Sequence, residues 1–151
     1  MYGIGNRWRD VEKAAVRIIN GLTENDFASV MVFDTQVESA TGAGNPVIRM
    51  DATGRQTLID WLDAISAGTS GANYDAAFQS AFDALFGQPA DCQKVILFMS
   101  DGEPTTGKTE QDLMTAYQGF DTGYKILTYS HDDGSGGRVR ARFASLFLKV
   151  T

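Results

Sequence analysis

Cysteine and histidine are almost missing from this chain: one of each, Cys92 and His131, in 151 residues. A single thiol excludes an internal disulfide and a thiolate metal cluster. A single imidazole in the stretch His131-Asp132-Asp133-Gly134 reads as a solvated turn residue and not as a general base. There is no second histidine and no Gly-x-Ser-x-Gly turn, so no nucleophile–base pair or hydrolase elbow is formed. The adjacent acids Asp132 and Asp133 read as loop residues, and the chain is expected not to be an enzyme. Positive charge is scarce as well, with 13 Lys and Arg against 19 Asp and Glu and a net charge of −6. That balance excludes a nucleic-acid surface, which needs clustered basic side chains. The short group Arg138, Arg140 and Arg142 reads as a solvated helix face. No apolar run approaches transmembrane length, so no membrane insertion is expected of this segment. The opening Met1-Tyr2-Gly3-Ile4-Gly5 lacks the organisation of a signal peptide.

What is present is ordinary for a soluble globular domain: 43% hydrophobic and 21% charged residues in a length that suits one domain, residues 1–151. Trp8, Val11, Ala15, Ile18, Ile19 and Leu22 recur at the 3.6-residue period of a helix over Arg7 to Leu22, with Asn6 as its N-cap. Asp26 marks a turn before a strand over Phe27 to Phe33. Gln36 to Ala40 reads as a short edge strand, and Val47 to Met50 as its returning partner. Leu58, Trp61, Leu62 and Ile65 place a second helix between Gly54 and Ala67. Asn73 caps a third, which runs to Phe86 with Phe78, Ala81, Phe82 and Leu85 inward and Gly87 ending it.

The most informative stretch is Val95-Ile96-Leu97-Phe98-Met99-Ser100-Asp101-Gly102. Its unbroken apolar run reads as a strand buried on both faces, and Asp101 is delivered to its carboxyl end, the rim where open α/β sheets place ligands. A helix over Thr109 to Phe120, a strand over Tyr124 to Tyr129, a turn over 131–137 and a last strand within Ser145 to Val150 complete the chain. Helix and strand alternate throughout, which predicts a three-layer, Rossmann-like α/β domain with a mainly parallel sheet.

These residues carry a resemblance. Val30-Met31-Val32-Phe33, a glycine-rich loop before Asn73-Tyr74-Asp75-Ala76-Ala77-Phe78, and Val95 to Gly102 together resemble a von Willebrand factor type A domain. Within that superfamily, Cys92 to Gly102 and Lys125-Ile126-Leu127-Thr128-Tyr129-Ser130 are most similar to the domain of alpha-2/delta auxiliary subunits of voltage-gated calcium channels. The resemblance implies an adhesion or protein-interaction module of a larger extracellular or membrane-associated protein, monomeric by default. It also implies a metal-ion-dependent adhesion site built from an Asp-x-Ser-x-Ser loop, a Thr and an Asp. Hard oxygen donors suit Mg2+, Mn2+ or Ca2+, and an open coordination position takes an acidic side chain of a protein ligand. Asp101 matches the Asp; read alone, it is equally a turn residue before Gly102. The Thr position falls on Ala72, which has no donor atom; Thr69 and Ser70 lie three and two residues earlier, and a shifted loop could bring either hydroxyl in. The Asp-x-Ser-x-Ser loop is absent, and cation affinity is therefore expected to be weak or nil.

In the resembled family that loop follows a first strand lying between the second and fourth. Met1 is thus expected to be an internal methionine, with the domain incomplete at its amino end and the carboxyl end open to the same reading. Missing that strand, its two neighbours are expected to close on each other, or else the isolated polypeptide is marginal, because unpaired buried backbone groups are costly.

A second reading belongs to another class. Gly102-Glu103-Pro104-Thr105-Thr106-Gly107-Lys108-Thr109 fits the phosphate-binding P-loop pattern, with Lys108 reaching the β and γ phosphates and Thr109 holding Mg2+. Against it, Asp101 sets a negative charge beside the cradle, and the strand over Lys125 to Tyr129 does not end in the acid that Mg2+ requires. Val30 to Asp34 is the better acid-terminated strand, but it lies upstream. On the preferred reading, Glu103 to Lys108 is a polar rim loop and Thr109 caps the helix after it.

Overall fold

The computed structural model describes residues 4–44, 46–65, 71–86, 93–100, 112, 124–130 and 144–150. The elements run α1 (Ile4–Gly21), β1 (Phe27–Phe33), β2 (Val37–Ser39), β3 (Ile48–Arg49), α2 (Ala52–Ala64), α3 (Tyr74–Phe86), β4 (Lys94–Ser100), β5 (Tyr124–Ser130) and β6 (Ala144–Val150). One sheet has the order β2-β1-β6-β4-β5, with β3 pairing β1 beside β2.

The α/β fold class stands, and its three layers follow from the period-2 alternation of the strands. Ala28 and Val30 of β1, with Met99 of β4, meet Ala15 and Ile19 of α1 and Leu58 and Leu62 of α2 on one face. Met31 and Phe33 of β1, with Ile96 and Phe98 of β4, meet α3 on the other face. β1 is buried from Ala28 through Phe33 because both of its faces are covered. Phe98 is the centre of the α3 side. Its ring lies 5.3 Å from Phe33 and 4.8 Å from Phe78, both stacked, and 4.8 Å from Tyr74 edge-on. On the other side Trp8 and Val32 are buried together, with Val11, Trp61 and Ile65 packed around them.

Local chemistry sets the boundaries. Asp26 is 4% exposed; its carboxylate accepts from the Thr23 amide at 2.7 Å and the Thr23 hydroxyl at 3.0 Å, closing the turn from α1 into β1. Arg55 Nη2 donates to the Leu22 carbonyl at 2.8 Å and Arg49 Nε to the Glu24 carbonyl at 2.7 Å, pinning the same turn from α2 and β3. The helix expected from Gly54 begins at Ala52, because the Asp51 carboxylate caps it by accepting from the Gly54 amide at 2.8 Å. Asn6 is not an N-cap: α1 starts at Ile4 and Asn6 lies inside it. Asn73 does cap α3, its Oδ1 accepting from the Ala76 amide at 3.2 Å. The expected helix end at Gly87 and the helix over 109–120, apart from helical Asp112, lie outside the described residues.

The sheet departs from expectation at its centre. β1, β4 and β5 point the same way, but only the β4–β5 ladder is parallel; β6 lies antiparallel between β1 and β4, and β2 and β3 are antiparallel to β1. The expectation of a mainly parallel sheet is corrected accordingly. Nor do β1 and β4 close on each other. The last strand in the sequence stands between them, paired from Ala144 to Val150 with Phe33 to Phe27 on one side and Ser100 to Lys94 on the other. Two inner strand edges with buried amides and carbonyls need partners, and β6 supplies both sets.

Candidate binding rim at the strand ends

Because β1 and β4 share β6 as a neighbour, their carboxyl ends are level: Phe33 and Ser100 both pair with Ala144. With two strand spacings of about 4.8 Å between them, the ends stand about 10 Å apart. Ser130 of β5 is level with Ser100 on the other side. The rim on which ligands of open α/β sheets sit is therefore formed by three strand ends that face the same way.

At the β1 end, Asp34 makes a tight turn. Its carboxylate accepts from the Gln36 amide at 2.9 Å and the Thr35 hydroxyl at 3.4 Å, and its own amide donates to the Gln36 carbonyl at 2.9 Å. The segment entering α3 is tied to this turn, since the Asn73 amide donates to the Asp34 carbonyl at 2.6 Å. Gly71 opens that segment at φ 111°, a conformation L side chains rarely adopt. Asp75 stands in the first turn of α3, where the helix dipole favours an acid. The side chains of Asp34, Asn73 and Asp75 thus belong to one end of the sheet. The sequence signal for Asp34 is the same one that marks Asp101, an acid directly after an apolar strand.

Ala72, at the position where a Thr is expected, is fully buried and packs into the α3 cluster with its methyl group. The proposed metal ligands Asp101, Thr69 and Ser70 lie outside the described residues, as do Lys108, Thr109 and the rest of the P-loop alternative, and His131. Among the described residues no three His, Cys, Asp or Glu side chains are grouped to hold a metal ion. The described part of the rim does not fit a divalent cation by itself: Asp34 is engaged in its turn, Asn73 in its cap, and Ala72 has no donor. No described helix is long and apolar enough to cross a membrane.

A family model described as von Willebrand factor type A domain matches residues 1–103, about two thirds of the chain. That match lends the P-loop alternative no support. No curated protein and no solved structure matches.

Proposed function

Because this chain belongs to the von Willebrand factor type A domain family, we propose that its strand-end rim recognises a protein partner. Such domains are in general interaction modules without enzymatic activity, often bind a divalent cation and are commonly extracellular. The observation that carries the reading is the level placement of the β1 and β4 ends, with the Gly71–Asn73 segment bonded onto Asp34. Asp101 follows Ser100 directly in the sequence, so it is the residue to which we assign cation contact, with the Thr69 or Ser70 hydroxyl assisting. The partner group is an acidic side chain.

Without an Asp-x-Ser-x-Ser loop and with Ala72 buried, the site holds Mg2+, Mn2+ or Ca2+ weakly. Calorimetric titration with Mn2+ is the test. Binding no tighter than about 10⁻⁴ M, the range of weak extracellular Ca2+ modules, and lost in Asp101→Ala, is expected. Micromolar binding abolished by Asp101→Ala overturns the weak site, and binding unaffected by that change removes Asp101 from it.

The finer reading places residues 1–151 as one domain of a larger extracellular or membrane-associated protein akin to the alpha-2/delta auxiliary subunits. Its support is Cys92 to Gly102 and Lys125 to Ser130. Sequencing the native transcript through the codons before Met1 tests it. An in-frame apolar strand followed by Asp-x-Ser-x-Ser is the expected result, and a stop codon there refutes it.

A further inference from the structure

The outer edge of β1 has one partner in two pieces. β2 pairs with Phe33 to Met31, and the Ala40 amide then donates to the Val30 carbonyl at 3.0 Å. β3 pairs with Ala28 and Phe27, and the Met50 amide follows on the Asp26 carbonyl at 2.9 Å. Residues 37–50 therefore run as a single antiparallel edge strand, interrupted opposite Ser29. One residue between Ala40 and Ile48 would keep that ladder in register. The whole stretch from Thr41 to Val47 stands there instead, an outsized relative of a β-bulge.

The interruption is specified by its residues. Gly42 and Gly44 both adopt φ 80°, and a Cβ at either would meet nothing within 4 Å. Gly42, Ala43, Gly44 and Pro46 are exposed. At the base, the Ser29 hydroxyl lies 3.0 Å from that of Thr41, which lies 3.1 Å from that of Ser39. The Thr41 amide donates to the Ser39 hydroxyl at 3.3 Å. Ser29 is fully buried within the run Ala28 to Phe33, and this anchor accounts for a polar residue there. The Gly42 amide donates to the Ser39 carbonyl at 3.3 Å. Because Ala40 turns its amide toward β1, Ser39 turns its own amide and carbonyl outward. The excursion thus occupies an acceptor that an added strand would need.

We propose that this excursion guards the edge: it keeps the outer side of β2 and β3 from pairing with the same edge of a second copy of this chain. A continuous strand over these residues would present an unbroken row of outward amides and carbonyls, a template for another chain. The matching edge is present on every copy, and two such edges pair antiparallel about a two-fold axis, the closed symmetry of a dimer. As folded, the edge offers a three-residue and a two-residue piece, with exposed Glu38 on the longer. Short, charged and interrupted edges resist the addition of a strand.

The test uses the full chain. Deleting Gly42 to Val47 leaves Thr41 opposite Ser29 and closes the ladder. Sedimentation velocity from micromolar to near-millimolar concentration is expected to show the parent as a single chain. The deletion variant, with a cooperative thermal transition, is expected as a dimer. Adding Ser39→Pro to the deletion removes an outward amide while leaving the ladder to β1 intact, and should return it to a single chain. A folded deletion variant that stays monomeric overturns the proposal. So does a dimer that survives Ser39→Pro, or a parent dimer that Ser39→Pro abolishes. Where the deletion prevents folding, Ser29→Ala/Ser39→Ala/Thr41→Val decides. Without its hydroxyl anchors, the Gly42 amide should exchange with solvent faster, and a dimer should appear at the highest concentration. Faster exchange without a dimer, or unchanged exchange, overturns the proposal as well.

Discussion

Three residues show how much of this molecule is decided by single side chains. Gly54 faces the Arg49 carbonyl so closely that an added Cβ would overlap it. Gly54→Ala is therefore expected to push α2 away from β3 and destabilise the fold by about 1–3 kcal/mol, read as a lower urea midpoint at unchanged slope. Asn73 both caps α3 and bonds to the end of β1. Asn73→Ala should lose about 1 kcal/mol of cap, and Asn73→Asp should recover most of it, both read by thermal unfolding. Phe98→Ala empties the middle of the aromatic nest formed with Phe33, Tyr74 and Phe78, and a loss of about 3–5 kcal/mol is expected. The Asn73 cap was legible in the sequence because a polar residue precedes an apolar helical stripe. Asp51 was not, because Gly54 looked like a boundary when it is instead the place where helix and strand backbones meet. Asn6 misled for the opposite reason: a good capping residue type does not stop a helix that has helical residues on both sides.

Elements were more readable than their neighbours. The stripe of α1 and the inward face of α3 are legible from periodicity and β4 from its unbroken apolar run, although Val95 and Leu97 are only half-buried in the fold. The placement of β6 was not. Alternation in Ala144 to Val150 identifies a strand, but nothing local to those residues says which edges it will pair. That choice is made by β1 and β4, more than forty residues upstream at the nearest, whose inner edges need hydrogen-bond partners. The candidate site was legible to a similar degree. The acid after β1 could be read directly, whereas the bond that ties Asn73 to Asp34 depends on a turn between distant segments. Removing residues 144–151 should replace the cooperative thermal transition with a broad, non-cooperative one, followed by circular dichroism, since β1 and β4 would each lose a full ladder. A sharp transition at the original midpoint would show that β6 is dispensable.

Among the described residues, two sheet segments are joined by one strand, with α1 and α2 on one face and α3 on the other. Stability should be distributed accordingly. Amides in the middle of β6, paired on both sides, are expected to exchange with solvent only through global unfolding, at the slowest rates in the domain. Those of β2, three residues long at the sheet edge, should exchange through local opening, orders of magnitude faster. Comparable rates in the two strands would contradict a sheet keyed at its centre. The proposed rim function would sit on the same framework, because the level ends of β1 and β4 depend on the strand that separates them.

The pairing of Phe27 with Val150 also has a meaning in time. A ribosome adding about 5–20 residues per second needs roughly 1–4 s to travel from Ser130 to Val150. During that interval every described strand but β6 has been made. Each newborn molecule passes through a stage with two apolar strand edges open to whatever else is being synthesised nearby. The sequence separation that makes this domain slow to close is thus a period of exposure, during which shielding of the open edges by chaperones would matter most.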